Sequence, residues 1–200
     1  MKIVPLLNSA GVAKRRNLVE FYQETERSRL HGAVSWIVDI SVMIALACYL
    51  VFCFGNRVEM NGSSMKPVLE SGDVVLVNRM AYDLGRPKRF DIAVIEREGA
   101  SPGIRRIIGL PGETVQIRDG LVYIDGALLE TSEEALRTAT IAGAAEYPIE
   151  LSEDEYFLLG DNRESSEDSR FPGIGNVKRE NLMGKVWLRF QPFSAMGFLP

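Results

Sequence analysis

The run Thr114-Val-Gln-Ile-Arg-Asp-Gly-Leu-Val-Tyr-Ile-Asp-Gly126 sets the architecture of most of this chain. Two short β-prone segments, 114–118 and 121–124, flank Asp119-Gly120, the dipeptide that favours a tight type I′ hairpin. A second Asp-Gly pair at 125–126 follows at once, which predicts a meander rather than a single hairpin. Working outward, Asp73–Asn78 and Asp91–Glu96 are apolar, β-branched runs bounded by Gly, Pro and charge. Glu155–Leu159 and Gly184–Phe190 supply later strands. Only residues 131–145 read otherwise, as loop or short helix, with Glu133–Arg137 helix-favouring and Gly143 as its stop. Short strands with frequent turns predict a mainly β, antiparallel, barrel-like domain over residues 55–200.

Upstream the texture changes. Residues 34–54 form an apolar run of 21 residues whose one charge is Asp39. At a helical rise of ~1.5 Å this run reaches about 31 Å, the thickness of a hydrocarbon core. It is too long and starts too late for the core of a cleaved leader, and no small-x-small site follows it, so it reads as one transmembrane helix. Residues 1–33 read as a cytoplasmic tail. Up to residue 35 the chain carries six basic and three acidic residues, whereas residues 56–200 hold 17 of the 23 basic and 23 of the 27 acidic residues. A basic flank ahead of the span predicts a cytoplasmic N-terminus and an extracytoplasmic body in a single-pass cell-membrane protein. With a net charge of −4 and no basic stripe, nucleic acid is not expected as a partner. Both cysteines, Cys48 and Cys53, fall inside the span, five residues apart on different sides of a helix, so no disulfide is expected.

Four segments of the body are denser in Gly, Ser and charge than folding alone requires: Asn61–Pro67, Arg89–Ile95, Arg105–Gly112 and Gly160–Arg170. A serine nucleophile needs a base within hydrogen-bond reach. The chain's single histidine, His31, precedes the span, which excludes a Ser-His-Asp triad in the body. Serine chemistry there requires a lysine or another unusual base. The carboxylates Asp161, Glu164, Glu167 and Asp168 are interleaved with Arg163 and Arg170, which reads as ion pairing rather than metal binding. No metal and no organic cofactor is expected.

Together these segments resemble the type I signal peptidase family. Ser64-Met-Lys-Pro67 fits its Ser-Met-x-Pro box, and Gly72-Asp73 with the strand after it fits the next. Arg105-Arg-Ile-Ile-Gly-Leu-Pro-Gly-Glu113 is similar to a box that normally opens Lys-Arg, and Gly160-Asp-Asn-Arg163 with Ser166-x-Asp-Ser-Arg170 to the last. The short interval between the last two boxes resembles the compact Gram-positive members.

The resemblance implies antiparallel β-sheets near the outer membrane surface, removing signal peptides from exported preproteins after small-x-small sites. It implies Ser64 as nucleophile with its own N–H as oxyanion donor. Gly62 stands where some relatives place a hydroxyl donor. Ser166 matches the serine that orients the basic amine, and Asp168 with Arg170 and Asp161 with Arg106 match ion pairs that shape the site. The implied partners are signal peptides, membrane lipid and the secretion or pilus-assembly machinery.

One position departs from the pattern. Arg105 stands where the family has its lysine base, and a guanidinium stays protonated in proteins. If the segment is extended and Arg105 faces Ser64, Arg106 faces away. Lys66, two residues after Ser64, would share its face in an extended segment. Two readings follow: a signal peptidase with weakened or rerouted base catalysis, and a non-catalytic homologue that binds signal peptides or pilins.

Overall fold

The computed structural model describes residues 32, 34–51, 56–97, 99 and 101–199. It divides at residue 50 into two units.

The first contains the helix α1 (Val34–Val51), exposed along its length and long and apolar enough to cross a membrane. Ser41 fits this apolar surface because its Oγ donates back to Ile37 O at 2.7 Å, one turn earlier. Cys48 is a free thiol. The tail and the expected end of the span, with Cys53, lie outside the described residues.

The second unit is built from twelve strands: β1 (Asn56–Glu59), β2 (Val74–Asn78), β3 (Ile92–Ile95), β4 (Gly103–Gly109), β5 (Thr114–Arg118), β6 (Leu121–Ile124), β7 (Ala127–Leu128), β8 (Ile149–Glu150), β9 (Glu155–Leu159), β10 (Val177–Lys178), β11 (Leu182–Gln191) and β12 (Gly197–Phe198). All pairings are antiparallel. The large sheet runs β1-β2-β11-β3-β4-β9-β10, with β12 added to β11, and the small one runs β7-β6-β5-β8.

The small sheet is the meander read from sequence. Asp119 and Gly120 have φ of 52° and 73°, and Asp125 and Gly126 have 51° and 79°. Those positive values at both turn positions are what a type I′ turn demands. The expected strands at 74–78, 92–95, 155–159 and 184–190 all form, the last extended to ten residues. Two local expectations need correction. The short helix α3 (Glu134–Arg137) is stopped at Thr138, which turns extended, and Gly143 instead opens a 3-10 turn, Gly143–Glu146. A further one-turn helix, α2 (Met80–Asp83), follows β2, where sequence gave no periodic signal.

Period-two alternation divides the core. From β9, Phe157 and Leu159 join Ile108 and the small sheet's Val115, Ile117 and Val122 in one cluster. Tyr156 and Leu158 point the other way, to Ala93, Ile95 and Ile107. A third cluster joins Val75, Val77, Ile92, Val94 and Ile104 to Met60, Met65 and Leu69, so the loop between β1 and β2 is pinned by apolar side chains on both sides of Ser64.

Phe157 is fully buried where the two sheets meet, so Phe157→Ala should cost about 3–5 kcal/mol of stability, a transfer loss plus a cavity. Exposed Leu128→Ala should stay within ~0.5 kcal/mol. Thermal or urea unfolding of the two variants checks this, and equal losses would contradict the assigned core.

Candidate active site

Ser64 lies in the turn that carries the chain from β1 toward β2. Met60 N–H donates to Asp73 O and Gly72 N–H to Met60 O, which closes the loop at its base. Across from it, the segment after β9 clamps the turn. Asn162 N–H donates to Ser64 O at 2.9 Å and its Nδ2 to Ser63 O at 3.1 Å. The Ser63 and Ser165 hydroxyls meet at 3.1 Å. Gly160 is required here for close approach: a Cβ would come within 2.5 Å of Ser64 O and 2.2 Å of Ser166 Oγ.

β4 brings up the two arginines. Arg105 opposes Ala93 and Arg106 opposes Ile92 on β3, while Arg106 also opposes Leu159 on β9. As strand geometry predicts, they diverge. Arg106 donates in bidentate fashion to Asp161, at 2.7 and 2.6 Å, and from Nη1 to Phe90 O. Arg105, 5% exposed, donates from Nη1 to Ser64 Oγ at 2.7 Å. The rest of its guanidinium is spent on carbonyls: Nη1 on Ile104 O at 2.6 Å, and Nε and Nη2 on Glu167 O at 2.9 and 2.6 Å. Burial pulls the Arg105 pKa down; the Asp168 carboxylate opposes that shift and the neighbouring Arg97 adds to it.

Behind these groups Asp168 and Arg170, both 0% exposed, form a closed pair. Arg170 meets Asp168 through Nε at 2.8 Å and Nη2 at 2.9 Å, and spends its remaining reach on Ile141 O and Arg163 O. Asp168 also accepts Gly160 N–H at 3.0 Å. Ser166, 6% exposed, has an Oγ with no hydrogen-bond partner among the described residues.

Ser64, Arg105, Arg106, Asp161, Ser166, Asp168 and Arg170 are therefore brought together by three elements. Gly62, two residues before Ser64, is exposed, with φ 87° and its N–H directed to Ser71 Oγ at 3.3 Å. Three expectations need adjustment. Arg163 is not an ion-pair partner: its Nη1 and Nη2 donate to Thr138 O and Leu136 O, and burial lowers its pKa to about 10. Glu167 pairs instead with Arg97, at 3.1 Å. Lys66 is exposed in a turn, with its N–H on Ser63 O, so the extended geometry that would align it with Ser64 is absent. Sequence reading missed Asn162, Arg97 and the Glu167 carbonyl. Asn162 sits within a quoted segment, whereas a main-chain carbonyl leaves no residue-type signal. Among the described residues no His/Cys/Asp/Glu group could hold a metal.

A buried serine under a basic side chain, on an antiparallel β scaffold whose described residues contain no histidine, is the arrangement of a serine peptidase outside the triad class. The family model described as "Signal peptidase, peptidase S26" matches residues 33–191. Signal peptidase I of Bacillus caldolyticus is 34% identical over 175 residues, covering 82% of this chain and 92% of its own. Signal peptidase I T of Bacillus subtilis strain 168 is 30% identical over 87% of this chain and 93% of its own. A probable signal peptidase I-2 of Synechocystis is 36% identical over 68% of this chain and 63% of its own. The chain belongs to the signal peptidase family, peptidase S26.

Asp168→Ala leaves the Arg170 guanidinium uncompensated in a dry site and removes the acceptor for Gly160 N–H. Breaking a buried pair in this way costs about 3–5 kcal/mol. The melting temperature should fall sharply, and an unchanged value would show that the pair does not hold the segment.

Proposed function

We propose that this signal peptidase uses Ser64 as the nucleophile on the carbonyl after a small-x-small site of an exported preprotein, and that Arg105 activates Ser64 without serving as its base. The observation that carries the reading is the 2.7 Å hydrogen bond from Arg105 Nη1 to Ser64 Oγ. In it the hydroxyl oxygen is the acceptor, so the Ser64 proton is directed elsewhere. A guanidinium cannot take that proton, since it is already fully protonated. It stabilises the alkoxide that forms when a solvent hydroxide takes the proton and becomes water. The Ser64 amide meets no acceptor among the described residues and is the oxyanion donor; in other enzymes such a donor is worth ~2.7–4 kcal/mol. Asp161–Arg106 and Asp168–Arg170 keep the segment after β9 against the Ser64 turn.

Turnover by this route depends on hydroxide and lacks a resident base. A second reading is supported by the same feature: a site with donors and no proton acceptor also suits a homologue that binds signal peptides or pilins without cleaving them.

Arg105→Lys should separate these readings. It supplies an amine whose pKa burial can lower, so cleavage of a preprotein with an Ala-x-Ala site should rise by ~10²–10⁴-fold. Ser64→Ala combined with Arg105→Lys should abolish the gain. A wild type that already cleaves briskly and is stopped by Lys66→Ala would make Lys66 the base. No gain, with an inert wild type that still binds signal peptide, would favour the binding homologue.

The basic head before α1 supports a cytoplasmic N-terminus with residues 56–200 outside. Protease added to spheroplasts should digest the β domain and spare the head. Protection of the domain would reverse this topology.

A further inference from the structure

Arg105, which holds Ser64 Oγ, also lines a cavity of about 240 Å³ whose walls include Met60, Gly103 and Ile104, and whose polar lining includes Arg97 and Ser101. A larger one, of about 660 Å³, touches neither Ser64 nor Arg105. Two arginines thus face the small cavity, and no carboxylate lines it. Arg97 is balanced by Glu167, but Arg105 has no ion-pair partner among the described residues. A buried cation held only by carbonyls and a hydroxyl keeps an unspent attraction for an anion.

The hydrogen-bond inventory points the same way. Of the five guanidinium N–H donors, four are engaged, and the remaining one, on Nη2, has no acceptor among the described residues. The Ser64 hydroxyl proton, the Ser64 amide and the Ser166 hydroxyl are likewise without acceptors there. The two buried carboxylates of the site are already engaged, Asp168 by Arg170 and Gly160 N–H and Asp161 by Arg106. The free N–H and O–H groups at the centre are thus set beside a fixed positive charge, and the acceptors left there are the neutral hydroxyl oxygens of Ser64 and Ser166.

We infer that this centre is a carboxylate receptor: it holds the C-terminal carboxylate of a peptide ending in small residues, the chemical form that a signal peptide takes after cleavage. A lysine poised as a base would be neutral and would offer such an anion no permanent charge, whereas Arg105 offers one at all working pH values. The site therefore favours the cleaved acid over the intact chain, and free signal peptide acts as a retained ligand and product inhibitor. The inference rests on the reading that the site around Ser64 takes signal peptides.

The test uses the detergent-solubilised full chain and one synthetic signal peptide ending in Ala-Gln-Ala, made once as the free acid and once as the carboxamide. The acid should bind at least about tenfold more tightly at neutral pH, a difference of about 1.4 kcal/mol. Arg105→Gln should bring the two affinities together, while Arg97→Gln should keep most of the preference. Equal affinities in the unmodified protein would overturn the carboxylate receptor and leave the signal-peptide site standing. Binding of neither form would overturn both. A preference that survives Arg105→Gln and is lost in Arg97→Gln would move the anion to the rim and overturn the assignment to Arg105. Because the acid–amide comparison is made first on the unmodified chain, a misfolded variant does not rescue the idea.

Discussion

The ion pair of Asp168 with Arg170 is the constraint on which the site depends. Neither side chain is reached by solvent, yet the carboxylate takes two guanidinium contacts and a main-chain amide, and four of the five guanidinium N–H groups are engaged, two of them on carbonyls. Removing two charges from water is costly, and a pair in this position is better understood as fixing geometry than as adding stability. What it fixes is the path from Gly160 to Phe171. That path delivers three things to the neighbourhood of Ser64: Asn162 on the Ser64 carbonyl, the Glu167 carbonyl under Arg105, and the Ser166 hydroxyl beside Gly160.

Against that frame, the Arg105–Ser64 contact is local and its consequences are chemical. The same position that orients the serine also denies it a base, since a guanidinium only donates. Burial lowers the pKa of Arg105, and the Asp168 charge offsets part of that, so Asp168 favours the charged form of the guanidinium. The outcome is a centre of strong electrostatic polarity and little proton-transfer capacity. On the proposed reading, anion binding and alkoxide stabilisation both draw on that polarity, whereas acid–base catalysis gains nothing from it.

How much of this was legible in the sequence depends on the range of the interaction that sets each feature. The meander from Thr114 to Gly126 was readable because Asp-Gly dipeptides fix their own backbone, independent of anything distant. The divergence of Arg105 and Arg106 followed from strand geometry alone. The partners did not: Asp161 lies 55 residues from Arg106, and the Glu167 carbonyl 62 residues from Arg105. Arg163 looked like a match for the carboxylates around it, but folding delivers Leu136 O and Thr138 O to it first. Lys66 aligns with Ser64 only in an extended segment, and the turn through Ser63 O removes that alignment. Two-residue strands such as β7, β8 and β10 carry too few side chains to leave a periodic signal.

The arginine at 105 is accommodated well rather than merely tolerated. Its fork reaches the Glu167 carbonyl through two nitrogens at once, with Ile104 O and Ser64 Oγ on a third contact edge. A lysine has a single nitrogen and could not span Glu167 O in this way, so at least part of the cross-link between β4 and the segment after β9 would be lost. The Ser166 hydroxyl, left without a partner beside Gly160, is on the proposed reading an acceptor for a shorter, compact amine. Arginine and lysine thus solve different problems at this position. Arginine ties two elements together and presents a permanent charge, leaving one buried hydroxyl idle. Lysine would give that hydroxyl a role and the serine a base, while weakening the tie. The chain has the sequence features of a peptidase throughout its site, and at residue 105 a planar guanidinium supplies the cohesion and charge that a single amine could not.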